Sequence, residues 1–150
     1  MVTNRSMRKV VVGSFIGGLI EWYDFFLYGT AAALVFNKLF FDSADPIIGT
    51  VLSLTTFAIG FISRPLGAII FGHYGDKIGR KKVLLITIYI MGISTVLIGL
   101  LPTSQSIGNW APVLLCIIRL IQGIGIGGEY GGASLMTIEH SSASKKGFWA

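Results

Sequence analysis

Charge is what this sequence has least of. Only 13% of its 150 residues are Asp, Glu, Lys or Arg, about half the roughly 25% of a soluble domain. With 53% hydrophobic residues beside them, there is too little polar surface to coat a water-soluble globule. Cysteine is nearly absent as well. Cys116 stands alone inside an apolar segment, which excludes a disulfide framework and leaves the redox compartment undetermined. The two histidines, His73 and His140, are isolated from each other and from other ligand types, so no metal site is expected. No nucleophile–base pair stands out, and an enzyme reading has no support. The net charge of +5 is no nucleic-acid signal, because nearly all of it sits at the ends of apolar runs, where membrane topology accounts for it.

What the chain does have is long apolar runs. A bilayer-spanning helix needs about 20 apolar residues, and four segments reach that length. This predicts an all-α integral membrane protein whose first partner is the lipid bilayer. Residues 1–9 form a basic N-terminus with Arg5, Arg8 and Lys9, followed by helix 1 over 10–36. Residues 37–46, with Asp42, Asp45 and Pro46, form an external turn, and helix 2 covers 47–71 with Arg64-Pro65 inside it. A cytoplasmic loop over 72–82 leads to a charge-free helix 3 over 83–101. An external turn over 102–112 carries Trp110 as an interfacial anchor, and helix 4 covers 113–138. Residues 139–147 form a cytoplasmic loop with Lys145 and Lys146, and 148–150 begin a fifth helix. A cleaved signal peptide is the competing reading of the N-terminus, but Glu21 and Asp24 interrupt its apolar run and the run is long enough to span. Counting Lys and Arg in the connections gives three, four and two on one side and Lys38 alone on the other. That asymmetry places the N-terminus and the 72–82 loop in the cytoplasm.

Five ionisable residues lie inside the predicted spans: Glu21, Asp24, Arg64, Arg119 and Glu129. Each costs about 2.5–3.5 kcal/mol at a helix centre, and such residues usually face a bundle interior or an aqueous path. The plainer alternative is a set of buried pairs that only hold helices together. Three acids against two bases leave one acid over, and a carboxyl without a partner can carry a proton. At about 1.5 Å per residue the five fall into two levels: an outer layer of Glu21, Asp24 and Arg119, and an inner layer of Arg64 and Glu129. Glu21 and Asp24 are three apart and share one helix face. These layers are expected to line a polar cavity between helices 1, 2 and 4.

Glycine is abundant, with 20 residues. Gly13-x-x-x-Gly17 in helix 1 and Gly123-x-x-x-Gly127-x-x-x-Gly131 in helix 4 have the spacing that lets membrane helices approach closely. The run Gly127-Gly128-Glu129-Tyr130-Gly131-Gly132 lacks the preceding strand and following Lys-Ser/Thr of a phosphate loop, so its glycines are read as packing. The loop 72–82, Gly72-His73-Tyr74-Gly75-Asp76-Lys77-Ile78-Gly79-Arg80-Lys81-Lys82, holds four of the 12 basic residues. A basic anchor alone would not need Asp76, Gly72, Gly75 and Gly79.

That loop resembles the loop 2–3 signature of the major facilitator superfamily, and Arg119-Leu120-Ile121-Gln122-Gly123 resembles its helix-4 motif. Glu21-Trp22-Tyr23-Asp24-Phe25, Arg64-Pro65-Leu66-Gly67 and the Gly127–Gly132 run narrow the resemblance to the metabolite:proton symporter family, nearest its shikimate-transporter branch. The resemblance implies the N-terminal part of a major facilitator fold, four transmembrane helices plus the start of a fifth. Family members have twelve helices in two halves with substrate between them, so the chain is expected to be a truncated fragment whose missing partner is the C-terminal half.

The implied activity is secondary active transport in the cell's cytoplasmic (inner) membrane. It would be proton-coupled symport of a small polar or anionic metabolite: shikimate-like, a di- or tricarboxylate, or betaine or proline. Asp76 and Arg80 would belong to a charge cluster latching the two halves. Arg119 would govern the proton affinity of a nearby carboxyl, Asp24 and Glu21 first, then Glu129. Gln122 would share that site, and Arg64 or Arg119 could hold a substrate carboxylate. No cofactor is implied beyond the proton as coupling ion. The alternatives are a proton-antiporting drug or metabolite exporter and a non-transporting membrane remnant.

Overall fold

In the computed structural model the described residues are 4–41 and 45–140, with side chains described for 12, 13, 15–41 and 45–129. Helix α1, Asn4–Ala31, runs without a break into a π-helical turn at Ala32–Phe36 and a short helix α2, Asn37–Phe40. Helix α3 is Pro46–Ile78, α4 is Arg80–Gly99, α5 is Ser104–Ile107 and α6 is Trp110–His140. Four helical stretches are long and apolar enough to cross a membrane: Phe15–Phe40, Pro46–Ile78, Arg80–Gly99 and Trp110–Glu129. Their outward faces carry large apolar side chains such as Phe15, Ile62, Ile69 and Val96, as expected where hydrocarbon is the solvent.

The first helix outlasts its predicted end at residue 36. Tyr28, Ala32, Phe36 and Phe40 recur every fourth residue and are all buried, with Ile98, Ala111 and Leu115 beside them. The π turn inserts an extra residue while that buried face is maintained. Asn37, read as part of a turn, instead ties two helices by donating from Nδ2 to Thr50 Oγ1 at 3.2 Å. The connection expected over 37–46 is shorter, since α2 ends at Phe40 and α3 begins at Pro46, and Asp42 lies outside the described residues. Asp45 then caps α3: its Oδ1 accepts from the Ile47 amide at 2.9 Å, with Pro46 in the first turn, where its missing N–H costs nothing.

The larger correction concerns residues 72–82, expected as a loop. Helix α3 continues through Gly72, His73, Tyr74, Gly75, Asp76 and Lys77 to Ile78, and α4 begins at Arg80. One residue, Gly79, makes the connection. Its φ of 95° and ψ of 131° belong to backbone space that only glycine occupies without strain. Gly72 is helical and its face is open, with nothing within 4 Å of an added Cβ. Gly79→Ala is therefore expected to destabilise the protein by about 1–3 kcal/mol, while Gly72→Ala is neutral or stabilising. Thermal unfolding in detergent compares the two, and equal behaviour would contradict this account.

The other boundaries shift less. The expected 102–112 turn contains α5, tied to α2 by Ser104 Oγ donating to the Leu39 carbonyl at 3.0 Å, and α6 begins at Trp110. The helix expected over 113–138 extends to His140, so the start of the expected 139–147 loop is helical. The rest of that loop, with Lys145 and Lys146, and the expected fifth helix at 148–150 lie outside the described residues, as do the side chains of Arg5, Arg8 and Lys9.

Helix α6 is the hub, packing on α3 and α4 and less extensively on α1. The buried face of α3 is Gly49, Ser53, Thr56, Gly60, Ser63 and Gly67, a row of small residues that lets α6 come close. A Cβ on Gly67 would strike the Ile124 backbone, one on Gly123 the Gly60 carbonyl and Ser63 Oγ, and one on Gly127 the Arg64 carbonyl. The α6 glycine row is thus an α3 contact. In α1 the two spaced glycines differ: Gly13 has open space, and Gly17 lies against Glu129.

Candidate functional site

Close α3–α6 packing positions the buried charges. Arg119 lies one turn before Gly123 and beside Gly60, whose added Cβ would sit 3.6 Å from Arg119 Nε. From there its guanidinium reaches Asp24 on α1, with Nη1 3.5 Å from Oδ2, and also donates to Gln122 Oε1. Gln122, fully buried, donates from Nε2 to Asp24 Oδ2 at 3.0 Å and to Thr95 Oγ1 at 2.8 Å. Thr95 on α4 in turn donates to Asp24 Oδ1 at 2.9 Å. Both carboxylate oxygens of Asp24 are engaged, by groups from two other helices.

Aromatic rings complete the seat of the arginine. The Arg119 guanidinium lies over the Tyr28 ring, 3.3 Å from its centroid, with Phe57 at 5.6 Å. Cation–π contact with desolvated rings is worth up to about 2 kcal/mol. Tyr28 is held in turn by its hydroxyl, 2.7 Å from Thr56 Oγ1.

A second pair lies one turn further in. Arg64 Nη1 is 3.2 Å from Glu21 Oε1, and its guanidinium stacks 4.3 Å from the Phe61 centroid. Glu129 is in neither pair. It is buried at 5% exposure, its Oε1 fills the space where Gly17 lacks a Cβ, and its Oε2 has no hydrogen-bond partner.

The two expected layers are therefore joined across their levels. Glu21, expected in the outer layer, pairs with Arg64 of the inner one, and Glu129 of the inner layer lies against Gly17 of α1. The reason is axial: Glu21 and Asp24 share a face but differ by about 4.5 Å in height, so each meets a different arginine. The expected cavity between helices 1, 2 and 4 is also corrected. Phe25, Phe57 and Phe61 fill the space around Glu21, Asp24, Arg64 and Arg119, leaving about 10 Å³, room for no more than a single water. Among the described residues a larger cavity, about 320 Å³, opens between α1, α4 and α6, with Gly17, Tyr23, Asp24, Met91, Thr95 and Glu129 on its walls.

At the α3–α4 connection, Arg80 Nη2 lies 3.3 Å from Asp76 Oδ1 across the Gly79 break. Asp76 is 73% exposed, while Gly75 is buried next to the Arg80 stem, 3.8 Å from where its Cβ would be. A group so exposed and screened adds little stability.

A family model for "sugar (and other) transporter" matches residues 10–150. The chain belongs to this family of the major facilitator superfamily. The family is one of membrane transporters, and the relatives that follow carry transport names, not enzyme names. The chain is 51% identical over 143 residues to the shikimate transporter of Escherichia coli (strain K12), covering 95% of this chain and 33% of that protein. It is 49% identical over 144 residues to an inner membrane metabolite transport protein of the same organism, covering 96% and 33%. It is 46% identical over 148 residues to that organism's proline/betaine transporter, covering 99% and 29%. The chain thus spans about a third of the length of the curated relatives it matches. No solved structure matches it significantly.

Within this chain, sequence reasoning missed Thr95, Tyr28, Phe57 and Phe61. Tyr28 could have been found from its place one turn after Asp24. Thr95 carries a fainter signal, a hydroxyl one turn after Met91 on a helix whose lack of charge diverted attention from it.

Proposed function

We propose that this chain belongs to a proton-coupled symporter that brings a small polar or anionic metabolite across the cytoplasmic membrane. The observation that carries the reading is the Asp24–Arg119–Gln122–Thr95 network, which joins three helices through charged and polar groups buried at membrane depth. Charges placed there are costly, and glycine and alanine would pack the same helices without them. A site that binds a proton and a polar solute is what such groups serve. The apolar alternative, export of a hydrophobic compound, gives them no task.

The relatives' names point to shikimate, proline and betaine as the solute class, and a di- or tricarboxylate suits the same arginines. Arg119 and Arg64 each present a guanidinium that could take a substrate carboxylate in bidentate fashion. Asp76 and Arg80, at the α3–α4 break, are the part of the gate that would meet a second half of the transporter. The N-terminus and the Asp76 end lie in the cytoplasm, supported by nine basic residues on that side against one on the other.

The test uses membrane vesicles holding the protein expressed from its complete reading frame, with labelled shikimate, citrate, 2-oxoglutarate, proline and betaine. An inward proton gradient is expected to concentrate at least one of them, and a protonophore to abolish the accumulation. Accumulation of none would overturn the symport reading. A cytoplasm-active reporter fused after Ile78 is expected to be active, and one fused after Leu101 inactive.

A further inference from the structure

We propose that Glu129 is the carboxyl that takes up and releases the coupling proton; this rests on the symport reading and assigns its proton site. The three buried acids are not equivalent. Protonating Glu21 would break its 3.2 Å pair with Arg64. Protonating Asp24 would disrupt a carboxylate held by Arg119, Gln122 and Thr95. Protonating Glu129 breaks no ion pair among the described residues, and gives Oε2, the atom without a hydrogen-bond partner, a proton to donate. The acid left over in the count of three against two is this one.

Access supports the assignment. Glu129 borders the 320 Å³ cavity, far above the roughly 10–15 Å³ that one water requires. Asp24 and Thr95 stand on the same walls, so a proton at Glu129 and a solute in the cavity would be in contact with one network. Among the described residues, the charged groups near Glu129 come from α1: Glu21, which interacts with it electrostatically, and Asp24, on the wall of the same cavity. Arg64 of α3 is paired with Glu21. The α4 wall offers Ile88, Met91, Gly92 and Thr95, none of them titratable. On α6 itself, Arg119 is committed to Asp24. The seat is shaped to the carboxyl as well: a Cβ at Gly17 would occupy the place of Glu129 Oε1, so motion of α1 against α6 would expose or seal it.

The experiment takes the protein from its complete reading frame, reconstituted in lipid vesicles. Difference infrared spectra across a pH titration are expected to show a protonated-carboxyl band that titrates in the wild type and is missing in Glu129→Gln. In transport, the variant is expected to let the labelled compound equilibrate but no longer concentrate it under an inward proton gradient. Gly17→Ala is expected to shift the pH midpoint of the band. A persisting band in Glu129→Gln, or accumulation equal to wild type, would overturn the proposal. If Glu129→Gln does not fold, Glu129→Asp decides: the proposal requires it to concentrate the compound with an altered pH profile, and a profile identical to wild type overturns it. If the wild type concentrates nothing, the symport reading fails, and the infrared result still settles whether Glu129 exchanges a proton.

Discussion

Replacing Arg119 with methionine is expected to abolish transport and to lower the yield of folded protein sharply. The substitution keeps length and removes the cation, so Asp24 stays buried between three helices with no countercharge. Removing one member of a buried ion pair costs about 3–5 kcal/mol, a large share of the 5–15 kcal/mol that stabilises a typical domain. The stacking on Tyr28, 3.3 Å from guanidinium to centroid, is lost as well. Two further variants separate folding from function. Asp24→Asn combined with Arg119→Met removes both charges and is expected to restore folded yield without restoring transport. Arg119→Lys keeps the charge but loses the planar group that stacks on Tyr28 while reaching Asp24 and Gln122, and is expected to fold with most transport lost. Fluorescence-detected gel filtration gives yield and labelled uptake gives activity. Arg119→Met with normal yield and uptake would show that the pair is dispensable.

Gly127→Ala is expected to disrupt the protein nearly as strongly, through a single methyl group. At this position the added carbon meets the Arg64 carbonyl of α3, and backbone cannot turn aside as a side chain can. Overpacking typically costs about 1–3 kcal/mol, and the high end is expected because Gly67 and Gly123 make similar backbone contacts along the same seam. Separating α3 from α6 here would also pull Arg64 from its place beside Glu21, joining a packing defect to a broken ion pair. Gly13→Ala is the control, since nothing lies within 4 Å of its added Cβ. Thermal unfolding in detergent is expected to leave that variant at wild-type stability and to lower the Gly127 variant by several degrees or more. Equal stability of the two would mean that the α3–α6 seam does not hold the bundle.

Much of this architecture is legible in the residues, and the illegible parts share a cause. Span lengths can be read because hydrocarbon admits only long apolar helices, and Glu21, Asp24, Arg64, Arg119 and Glu129 stand out because charge there is rare. Which acid meets which base cannot be read, since pairing depends on helix height and rotation that packing determines. Glu21 found Arg64 because of a difference of one turn. The continuation of α3 through 72–78 is hidden because glycine and charge look like a loop, yet a helix tolerates both where, as at His73, Asp76 and Lys77, the side chains are exposed. Within 72–82, Gly79 is the position whose backbone conformation needs glycine. Thr95 is hidden because a threonine in an apolar helix usually bonds its own backbone, and Thr95 does lie 3.0 Å from the Met91 carbonyl while also serving Asp24. The cavity between α1, α4 and α6 is beyond sequence reasoning, being what remains after side chains fill the rest.

The most direct measurement of the central claim is the movement of protons with solute. De-energised cells carrying the protein from its complete reading frame are suspended in weakly buffered medium, and the transported compound is added. A symporter draws protons inward with its solute, so transient alkalinisation of the medium is expected, abolished by a protonophore and absent in Arg119→Met. Acidification of the medium would indicate antiport, and uptake with no pH change would contradict proton coupling altogether.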